Sequence, residues 1–372
     1  MMLVSFCRNV VSAAPRAATA AAPRTASRMT GASQAVVAAA TEGCSVVAAA
    51  APPFEVIRTS AQAESFLADH DAFLFDCDGV LWRGEDGLLP RTVETLEMLE
   101  RLGKTCVFVT NNAAKSRAAY VKRFAGLGLE HVTLDQVVPS SFVAARWLAR
   151  NRPEIKKVFV IGASGLVDEL EAAGIQVLTA RSSAFSFPSS DPDSNEASTS
   201  MAALGRAVAS EPELGAVVVG HDTGFDFKAL CLASLFLERD DMAYVATNPD
   251  AYDVVAGHRC PGNGCFVAAV STAAGRAPDA VCGKPAADLA SYLVSAYGLD
   301  PLRTCMVGDR LDTDIALARA MGCSSLLVFT GVATADDLLT ELSPGHARQD
   351  ERAPLPTHAV SHVGHLLELC EQ

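Results

Sequence analysis

Short apolar runs alternate with amphipathic helical segments from Phe54 to the C-terminus, and no other feature of the chain restricts its fold as strongly. This alternation is typical of βαβ units, in which the strands run parallel and helices cover the sheet. The sequence therefore predicts an α/β protein with a doubly wound parallel sheet. Buried strands are predicted at 72–75, 105–109, 157–161, 216–219 and 304–307, and helices at 90–102, 116–127, 166–173 and 286–297.

The first 41 residues differ in composition from the rest of the chain. They contain four arginines and many Ala, Ser and Thr residues, but no Asp, Glu or Lys. A secretory signal places positive charge before its apolar stretch, whereas here the apolar residues 3–6 precede Arg8, as in an organelle transit peptide. Residues 1–53 are therefore predicted to be a transit peptide and linker, with an ordinary unstructured tail as the alternative.

The charge balance and the cysteine pattern exclude several classes of protein. The 372-residue chain has 30 Lys and Arg residues against 43 Asp and Glu residues, a net charge of −13, which argues against nucleic acid as a partner. No run of about 18 residues is apolar throughout, so no membrane span is expected. The 11 cysteines include no Cys-x-x-Cys pair, which indicates free thiols, although Cys260 and Cys265 flank a turn and could pair under oxidation.

Two carboxylates, Asp76 and Asp78, follow the first buried strand and precede Gly79. Alternate residues of an extended chain point the same way, so both carboxylates can face one site, and the glycine permits a turn. Such a pair can hold a divalent cation while one member attacks a substrate and the other handles a proton. Asp-Gly is also a common turn sequence, which is the alternative.

Three polar residues, Thr110, Asn111 and Asn112, follow the second predicted strand. Ligands of open α/β sheets bind at the carboxyl ends of the strands, where these hydroxyl and amide donors suit phosphate oxygens. The alternative is an Asx-type turn or the cap of the next helix.

Charged residues follow two later segments. Lys284 stands just ahead of a predicted helix and could neutralise a transferring phosphoryl group, although a lone lysine is commonly a solvated surface residue. Three acids, Asp309, Asp312 and Asp314, follow the buried strand at 304–307 within six positions. Apolar residues bracket them, so a hard-cation site explains them better than solvation does.

In this order, the four segments resemble the motifs of the haloacid dehalogenase superfamily of phosphatases. The flanking residues are similar to the branch of phosphoglycolate, pyridoxal phosphate and 4-nitrophenyl phosphatases, notably residues 246–250 and the turn at 261–264. The resemblance runs from about residue 55 to the C-terminus. It implies a Rossmann-like catalytic core at 54–151 and 281–372 with an inserted α/β cap domain at 152–280.

The resemblance also implies a role for each motif residue. Asp76 would be the nucleophile that forms an aspartyl-phosphate, and Asp78 would protonate the leaving oxygen and then activate water. Asp314 would orient the metal site and pair with Lys284. The residues implied to bind the phosphoryl group are Thr110, Asn111, Asn112 and Lys284, and those implied to bind Mg²⁺ are Asp76, Asp309 and, through its backbone carbonyl, Asp78.

The implied function is Mg²⁺-dependent hydrolysis of a small phosphomonoester. The branch and the transit-like leader together favour 2-phosphoglycolate in a plastid, with a mitochondrion as the alternative compartment. A pyridoxal phosphate phosphatase or a broad nitrophenyl or sugar phosphate phosphatase is the alternative enzyme. A catalytically silent binding protein is the alternative from another class, disfavoured because five charged motif residues would converge on one pocket without a use. Relatives commonly pair through their caps, so a homodimer is possible.

The predicted cap carries a candidate surface for substrate selection in the loop 220–228. His221 and Lys228 are its candidate cations, although the favoured alternative for a lone loop histidine is that it has no role. Gly224 stands where pyridoxal phosphate phosphatases would place a histidine, which disfavours pyridoxal phosphate as the substrate.

Two other segments are expected to carry no chemistry. The segment 182–196 is rich in Ser, Asp and Pro and is predicted to be a surface insertion. His358, His362 and His365 are spaced as metal ligands on one helical face could be, but a terminal helix over 358–369 with interleaved apolar residues is the favoured interpretation.

Overall fold

The computed structural model describes residues 54–84, 87–185, 201–255, 258–342 and 354–372. The predicted transit peptide and linker, residues 1–53, lie outside the described residues, as does most of the predicted insertion at 182–196. In the described part of the chain, no helix has the length and apolar character needed to cross a membrane.

The described residues form strands and helices in close alternation, numbered here in chain order. The strands are β1 (Glu55–Val56), β2 (Ala72–Phe75), β3 (Thr105–Thr110), β4 (Val137–Pro139), β5 (Lys157–Ile161), β6 (Gln176–Leu178), β7 (Ala216–Val219), β8 (Ala243–Ala246), β9 (Tyr252–Val255), β10 (His258–Pro261), β11 (Ala280–Val281), β12 (Thr304–Gly308), β13 (Ser324–Val328) and β14 (His358–Val360). The α-helices are α1 (Ser60–Asp69), α2 (Thr92–Arg101), α3 (Arg117–Gly126), α4 (Ser140–Asn151), α5 (Ser164–Ala172), α6 (Met201–Ala209), α7 (Phe227–Leu237), α8 (Asn263–Ala274), α9 (Ala287–Tyr297), α10 (Ala316–Met321), α11 (Ala335–Leu342) and α12 (His365–Cys370).

The larger sheet contains seven parallel strands in the order β1, β14, β13, β12, β2, β3, β4. From β2 the chain winds outward to β3 and β4 on one side, and from β12 it winds outward to β13 and β14 on the other. The strand order therefore reverses between β2 and β12. In open α/β sheets this reversal opens a crevice for ligands at the carboxyl ends of the strands.

Strand β2 is buried along its whole length, as expected for a central strand with helices on both faces. Phe73 and Phe75 stack on one face with Phe108, at ring-centroid distances of 6.1 Å. Leu74 packs on the opposite face with residues that include Met306. The residues that follow β2 are consequently anchored to the best-packed part of the sheet.

The smaller sheet contains five parallel strands in the order β11, β8, β7, β5, β6, and β9 and β10 form a separate antiparallel pair. These strands lie between Lys157 and Val281, so the sheet extends one residue beyond the predicted end of the cap at 280. The exact bounds of the cap stay a prediction. The α/β class with a doubly wound sheet and a second α/β layer is confirmed.

The carboxyl ends of the two sheets meet. A Cβ atom on Gly165, after β5, would lie 2.3 Å from the carbonyl carbon of Lys115, after β3, so the two backbones are in direct contact. The backbone and side-chain nitrogens of Arg117 donate to the buried carboxylate of Glu169 at 2.6 and 3.1 Å. These contacts hold the smaller sheet over the end of the larger one.

The elements in the centre of each sheet agree with the sequence, and the C-terminal segment does not. The strands at 72–75, 157–161 and 216–219 are confirmed to the residue. The helix predicted over 358–369 is wrong in its first half, because β14 pairs with β1 and β13 and buries Ala359 and Val360, and α12 begins only at His365. The described cysteines, including Cys260 and Cys265, are all free, as expected.

Candidate active site

Strand β2 directs Asp76 into the crevice at its carboxyl end. The Asp76 amide donates to the Val307 carbonyl at 2.9 Å, which continues the pairing of β2 with β12 by one residue. Gly79 then turns the chain with φ at +89°, and a Cβ atom there would lie 2.7 Å from Asp309 Oδ2. The turn and the close approach both require glycine at this position.

Lys284 is buried against the carboxylates of Asp76 and Asp314. Its Nζ atom lies 2.6 Å from Asp76 Oδ1 and 2.7 Å from Asp314 Oδ1, and it also donates to the Val109 carbonyl at 2.8 Å. Lys284 is only 1% exposed, which excludes the alternative of a solvated surface residue. The position follows from β11, which ends three residues before Lys284.

The charges in this pocket are unbalanced. Burial alone would lower the pKa of Lys284, but the carboxylates of Asp314 and Asp76 raise it, so its ammonium group stays charged. Burial raises the pKa of Asp76 against the opposing effect of Lys284, and the charges of Asp314 and Asp309 raise it further. One ammonium thus faces three carboxylates, an excess of negative charge that a cation would relieve.

Within the described part of the chain, Asp309 has a buried oxygen that lacks both a hydrogen-bond and an ion-pair partner. One oxygen atom from each of Asp76, Asp309 and Asp314 lies within 4.8 Å of the others. Asp309 Oδ2 accepts from the Val332 amide at 2.6 Å, whereas Oδ1 is buried without a hydrogen-bond partner. Burial and the charge of Asp314 raise the pKa of Asp309 to about 7. A buried, unpaired carboxylate oxygen beside two others fits a hard divalent cation such as Mg²⁺.

Asp314 supports both the lysine and the loop that carries Asp309. Residues Leu311–Ile315 form a π-helical turn, a conformation that is common at functional sites. This turn points Asp314 back at β12, where its Oδ2 atom accepts from the amides of Asp309 and Arg310 at 3.2 and 3.1 Å. The expected contact between Asp314 and Lys284 is present.

Asp78 lies near the carboxylate group but does not join it. Its Oδ1 atom accepts from Trp82 Nε1 at 2.9 Å, and its Oδ2 atom accepts from Asn112 Nδ2 at 3.3 Å. The side chain is half-buried, and Trp82 is fully buried. Asp78 is therefore held by neutral donors at the edge of the pocket, with access to solvent.

The three polar residues after β3 occupy different environments. Thr110 is buried, and its Oγ1 atom accepts from the Asn112 amide at 3.1 Å. Asn112 is exposed beside Asp78. The Asn111 amide is hydrogen bonded within the protein at both ends, to the backbone of Lys284 and to Asp250. Asn111 is thus placed to hold Lys284, whereas Thr110 and Asn112 line the space beside the two aspartates.

Two charged residues of this region are absent from the sequence-based expectations. Arg310 stacks beside Tyr252 and donates to its carbonyl at 3.0 Å, which joins the β12 loop to β9. Arg181 donates to both oxygens of Asp222 at 3.3 and 3.2 Å, within the candidate selection loop. A Cβ atom on Gly224 would lie 1.8 Å from Arg181 Nη2, so the missing side chain makes room for this guanidinium. Neither partner is close in sequence, so no local motif could reveal these contacts.

The histidines of the tail are not gathered in one group. His362, His365 and Glu368 have ligand atoms within 4.8 Å of one another. His358 instead packs on Phe66, with ring centroids 4.9 Å apart. The change from strand to helix between them separates His358 from the other two.

Comparisons with known proteins agree with this geometry. Two family models match the chain, one described as haloacid dehalogenase-like hydrolase at residues 73–176 and one as HAD-hydrolase-like at 281–354. Phosphoglycolate phosphatase 1A, chloroplastic, from Arabidopsis thaliana is 39% identical over 273 residues, which cover 73% of this chain and 71% of that protein. The chain belongs to the haloacid dehalogenase-like hydrolases. The expected family membership is thereby confirmed.

Other relatives of this hydrolase bear different phosphatase names. Glycerol-3-phosphate phosphatase from Gallus gallus is 37% identical over 314 residues, which cover 83% of this chain and 95% of that protein. The solved structure of p-nitrophenyl phosphatase from Archaeoglobus fulgidus superposes with a TM-score of 0.64 at 28% identity, covering 81% of this chain and 99% of that one. The membership of this chain in the family is therefore established, whereas its relatives are named for different substrates.

Proposed function

We propose that this hydrolase is a Mg²⁺-dependent phosphatase that cleaves a small phosphomonoester through an aspartyl-phosphate on Asp76. The observation that carries the proposal is the buried contact of Lys284 with Asp76 and Asp314, beside the unpaired oxygen of Asp309. Phosphoryl transfer depends mainly on positioning and on neutralising charge, and this pocket supplies both.

The first half of the reaction forms a bond between Asp76 and phosphorus. A carboxylate oxygen of Asp76 attacks, the bond from phosphorus to the leaving oxygen breaks, and Asp78 gives that oxygen its proton. Lys284 neutralises charge on the phosphoryl oxygens, and the Thr110 hydroxyl and the Asn112 amide would donate hydrogen bonds to them. The half-exposed position of Asp78 lets the leaving group depart towards solvent.

The second half restores the enzyme. Asp78, now ionised, takes a proton from water, and the water oxygen attacks phosphorus. The bond between phosphorus and Asp76 breaks, which releases inorganic phosphate. Asp76, Asp309 and the backbone carbonyl of Asp78 would hold Mg²⁺, which supplies charge to offset the phosphoryl oxygens as they approach Asp76.

We expect the Mg²⁺ concentration for half-maximal activity to rise as the pH falls below about 7, the value to which burial and Asp314 raise the pKa of Asp309. The protonated acid cannot bind the metal, so protons compete with Mg²⁺. Because the pKa of Asp309 is raised, its carboxyl group is largely ionised at pH 8 and becomes protonated towards pH 6. The half-activating Mg²⁺ concentration should therefore rise over this range, by at most about tenfold per pH unit. Activity titrated with Mg²⁺ at each pH measures it. A half-activating concentration that is the same at pH 8 and pH 6 would contradict the expectation.

Phosphoglycolate is our proposed substrate, with pyridoxal phosphate or a broad range of nitrophenyl and sugar phosphates as alternatives. One support is the relative that bears the name phosphoglycolate phosphatase. The other is that the leaving fragment of phosphoglycolate carries a carboxylate, which the candidate cations beside the selection loop would bind. His221 lies in this loop, and its ring packs against that of Phe266 with the centroids 5.2 Å apart. Gly224 leaves room for the Arg181 guanidinium, and a side chain at this position would clash with it.

Substitution of His221→Ala is expected to lower kcat/KM for phosphoglycolate by about tenfold or more, equivalent to roughly 1.4 kcal/mol, while that for nitrophenyl phosphate changes less than about threefold. Loss of a cation near the carboxylate should affect only the substrate that has one. His131→Ala, at an exposed histidine of the larger-sheet region, is the matched control. Competition among phosphoglycolate, pyridoxal phosphate, glycerol phosphate and nitrophenyl phosphate on the wild-type protein tests the assignment itself. Preference for any of the other three would overturn it.

A catalytically silent binding protein of the same fold is the alternative from another class. The assembled pocket of Asp76, Lys284, Asp309 and Asp314 argues against it, since buried charges are costly unless they serve a site. Mg²⁺-dependent release of phosphate from nitrophenyl phosphate would distinguish a phosphatase from a silent binding protein.

We further propose that the partners of this protein are small phosphorylated metabolites and include neither nucleic acid nor membranes. We also propose that two chains pair through the cap, which measurement of the mass in solution tests.

The leader is proposed to direct the protein to a plastid, as the name of one relative states for that relative. A fluorescent protein fused after residues 1–53 is expected to enter plastids of a plastid-bearing cell, because the first 41 residues are rich in Arg, Ser and Ala and contain no Asp or Glu. A fusion in which the four leader arginines are replaced by glutamate is the control and should stay outside. Cytosolic or mitochondrial fluorescence of the unaltered fusion would reject the plastid.

A further inference from the structure

Asp250 is a buried carboxylate that joins the smaller sheet to the pocket. It follows β8 and is 7% exposed. Its Oδ2 atom accepts from Asn111 Nδ2 at 2.8 Å and from Asn248 Nδ2 at 2.5 Å, and its Oδ1 atom lies 3.7 Å from Arg310 Nε. Two donors and one cation thus hold the carboxylate in a single orientation, without contact with Asp76 or Lys284.

One path leads from Asp250 to Lys284 through Asn111. The Asn111 Oδ1 atom accepts from the Lys284 amide at 2.7 Å, and the Nδ2 atom donates to the Lys284 carbonyl at 3.1 Å. An amide group can lie in two orientations that differ by a half turn. Since a carboxylate only accepts, Asp250 requires Nδ2 to face it, and this choice leaves Oδ1 to accept from Lys284.

A second path leads to the same lysine through Arg310. Its guanidinium lies between Asp250 and the exposed Asp312, and its backbone amide donates to Asp314 Oδ2 at 3.1 Å. The other oxygen of Asp314 contacts Lys284 Nζ at 2.7 Å. The backbone and the ammonium of Lys284 are thus both linked to one carboxylate of the smaller sheet.

We propose that Asp250 is a positioning residue that sets the place of the Lys284 ammonium relative to Asp76, acting through Asn111 and Arg310. The inference rests on the proposed phosphatase function. Its consequence is that the smaller sheet helps to build the charge-neutralising part of the site, in addition to covering the substrate. Displacement of Lys284 by a fraction of an ångström would weaken phosphoryl transfer without changing which leaving groups fit.

The test compares Asp250→Ala and Asp250→Asn with Asp240→Asn, a control that removes the same charge from an exposed turn. Asp250→Ala is expected to lower kcat by about tenfold or more, with KM changed less than about threefold and with the same factor for nitrophenyl phosphate and phosphoglycolate. Asp250→Asn keeps an acceptor for Asn111 but loses the charge facing Arg310, so it should recover part of the activity. The melting temperature of each variant shows whether a loss of activity results from unfolding or from displacement of Lys284.

A double-mutant cycle with Asn111→Ala decides whether Asp250 acts through Asn111. We expect the double variant to be no more than about threefold slower than the slower single variant, because both remove the same support. Additive effects, or a loss that depends on the leaving group, would overturn the inference. If Asp250→Ala does not fold, the same cycle with Asp250→Asn carries the test. Normal activity of the Asp250 variants would reject this inference alone, whereas an inactive wild-type protein would reject the proposed function and the inference with it.

Discussion

Asp76→Asn is expected to reduce turnover of nitrophenyl phosphate to below roughly 1% of the wild-type rate. The amide fills the space of the carboxylate but is a poor nucleophile, so the aspartyl-phosphate cannot form. Stability should be kept or slightly raised, because burial and the charges of Asp314 and Asp309 already raise the pKa of Asp76, and the substitution removes that repulsion. Steady-state assays with excess Mg²⁺, together with acid-quench detection of the phosphorylated protein, measure the effect.

The control for this substitution is Asp168→Asn, which makes the same change on the exposed surface of α5. It should keep wild-type turnover and the phosphorylated intermediate. If the Asp76→Asn protein folds and retains more than about 1% of the activity, another group attacks phosphorus and the proposed role of Asp76 is wrong.

Lys284→Met is expected to lower kcat by about 10²–10³-fold, the usual loss when a preorganised group that stabilises transition-state charge is removed. The side chain keeps a similar length but leaves Asp76 and Asp314 without their shared cation. Without Mg²⁺ at pH 8, the free energy of unfolding should fall by about 3–5 kcal/mol, the range for a broken buried ion pair. Chemical denaturation and phosphate release measure the two effects, with the exposed Lys122→Met as the control.

The stability loss in Lys284→Met should depend on pH. Without the ammonium group the pKa of Asp76 rises further above its unfolded value, so the folded variant binds a proton more readily than the unfolded chain does. The variant therefore loses stability as the pH rises and recovers it as the pH falls, and the difference from wild type should be smaller at pH 5.5 than at pH 8. A difference that is constant over this range would mean that the loss has another cause.

The sequence was sufficient for the parts of the fold and site that depend on local pattern. Strands β2, β5 and β7 are short runs of buried residues in the centres of the sheets, where the pattern is clearest. The proximity of Asp76 and Asp309 also follows from the sequence, because residues at the carboxyl ends of the neighbouring parallel strands β2 and β12 meet at one edge. Lys284 instead follows β11 of the smaller sheet, so its place beside them depends on how the two sheets meet.

The remainder depends on contacts between distant residues. The orientation of the Asn111 amide is set by Asp250, which lies 139 positions away. Arg181 reaches Asp222 across 41 positions, which a motif cannot show. The strand β14 resembles the start of a helix in sequence, and only its place between β1 and β13 decides its conformation.

The route of the chain through the two sheets has a consequence for partly made or partly degraded molecules. Asp76 and Thr110 precede the smaller sheet in the chain, whereas Lys284 and Asp309 follow it, and β12 must reach back to pair with β2. A fragment that ends before residue 314 holds the attacking group without the complete set of residues that assist it. Synthesis that stops before residue 314 is therefore expected to yield fragments that cannot hydrolyse phosphate esters.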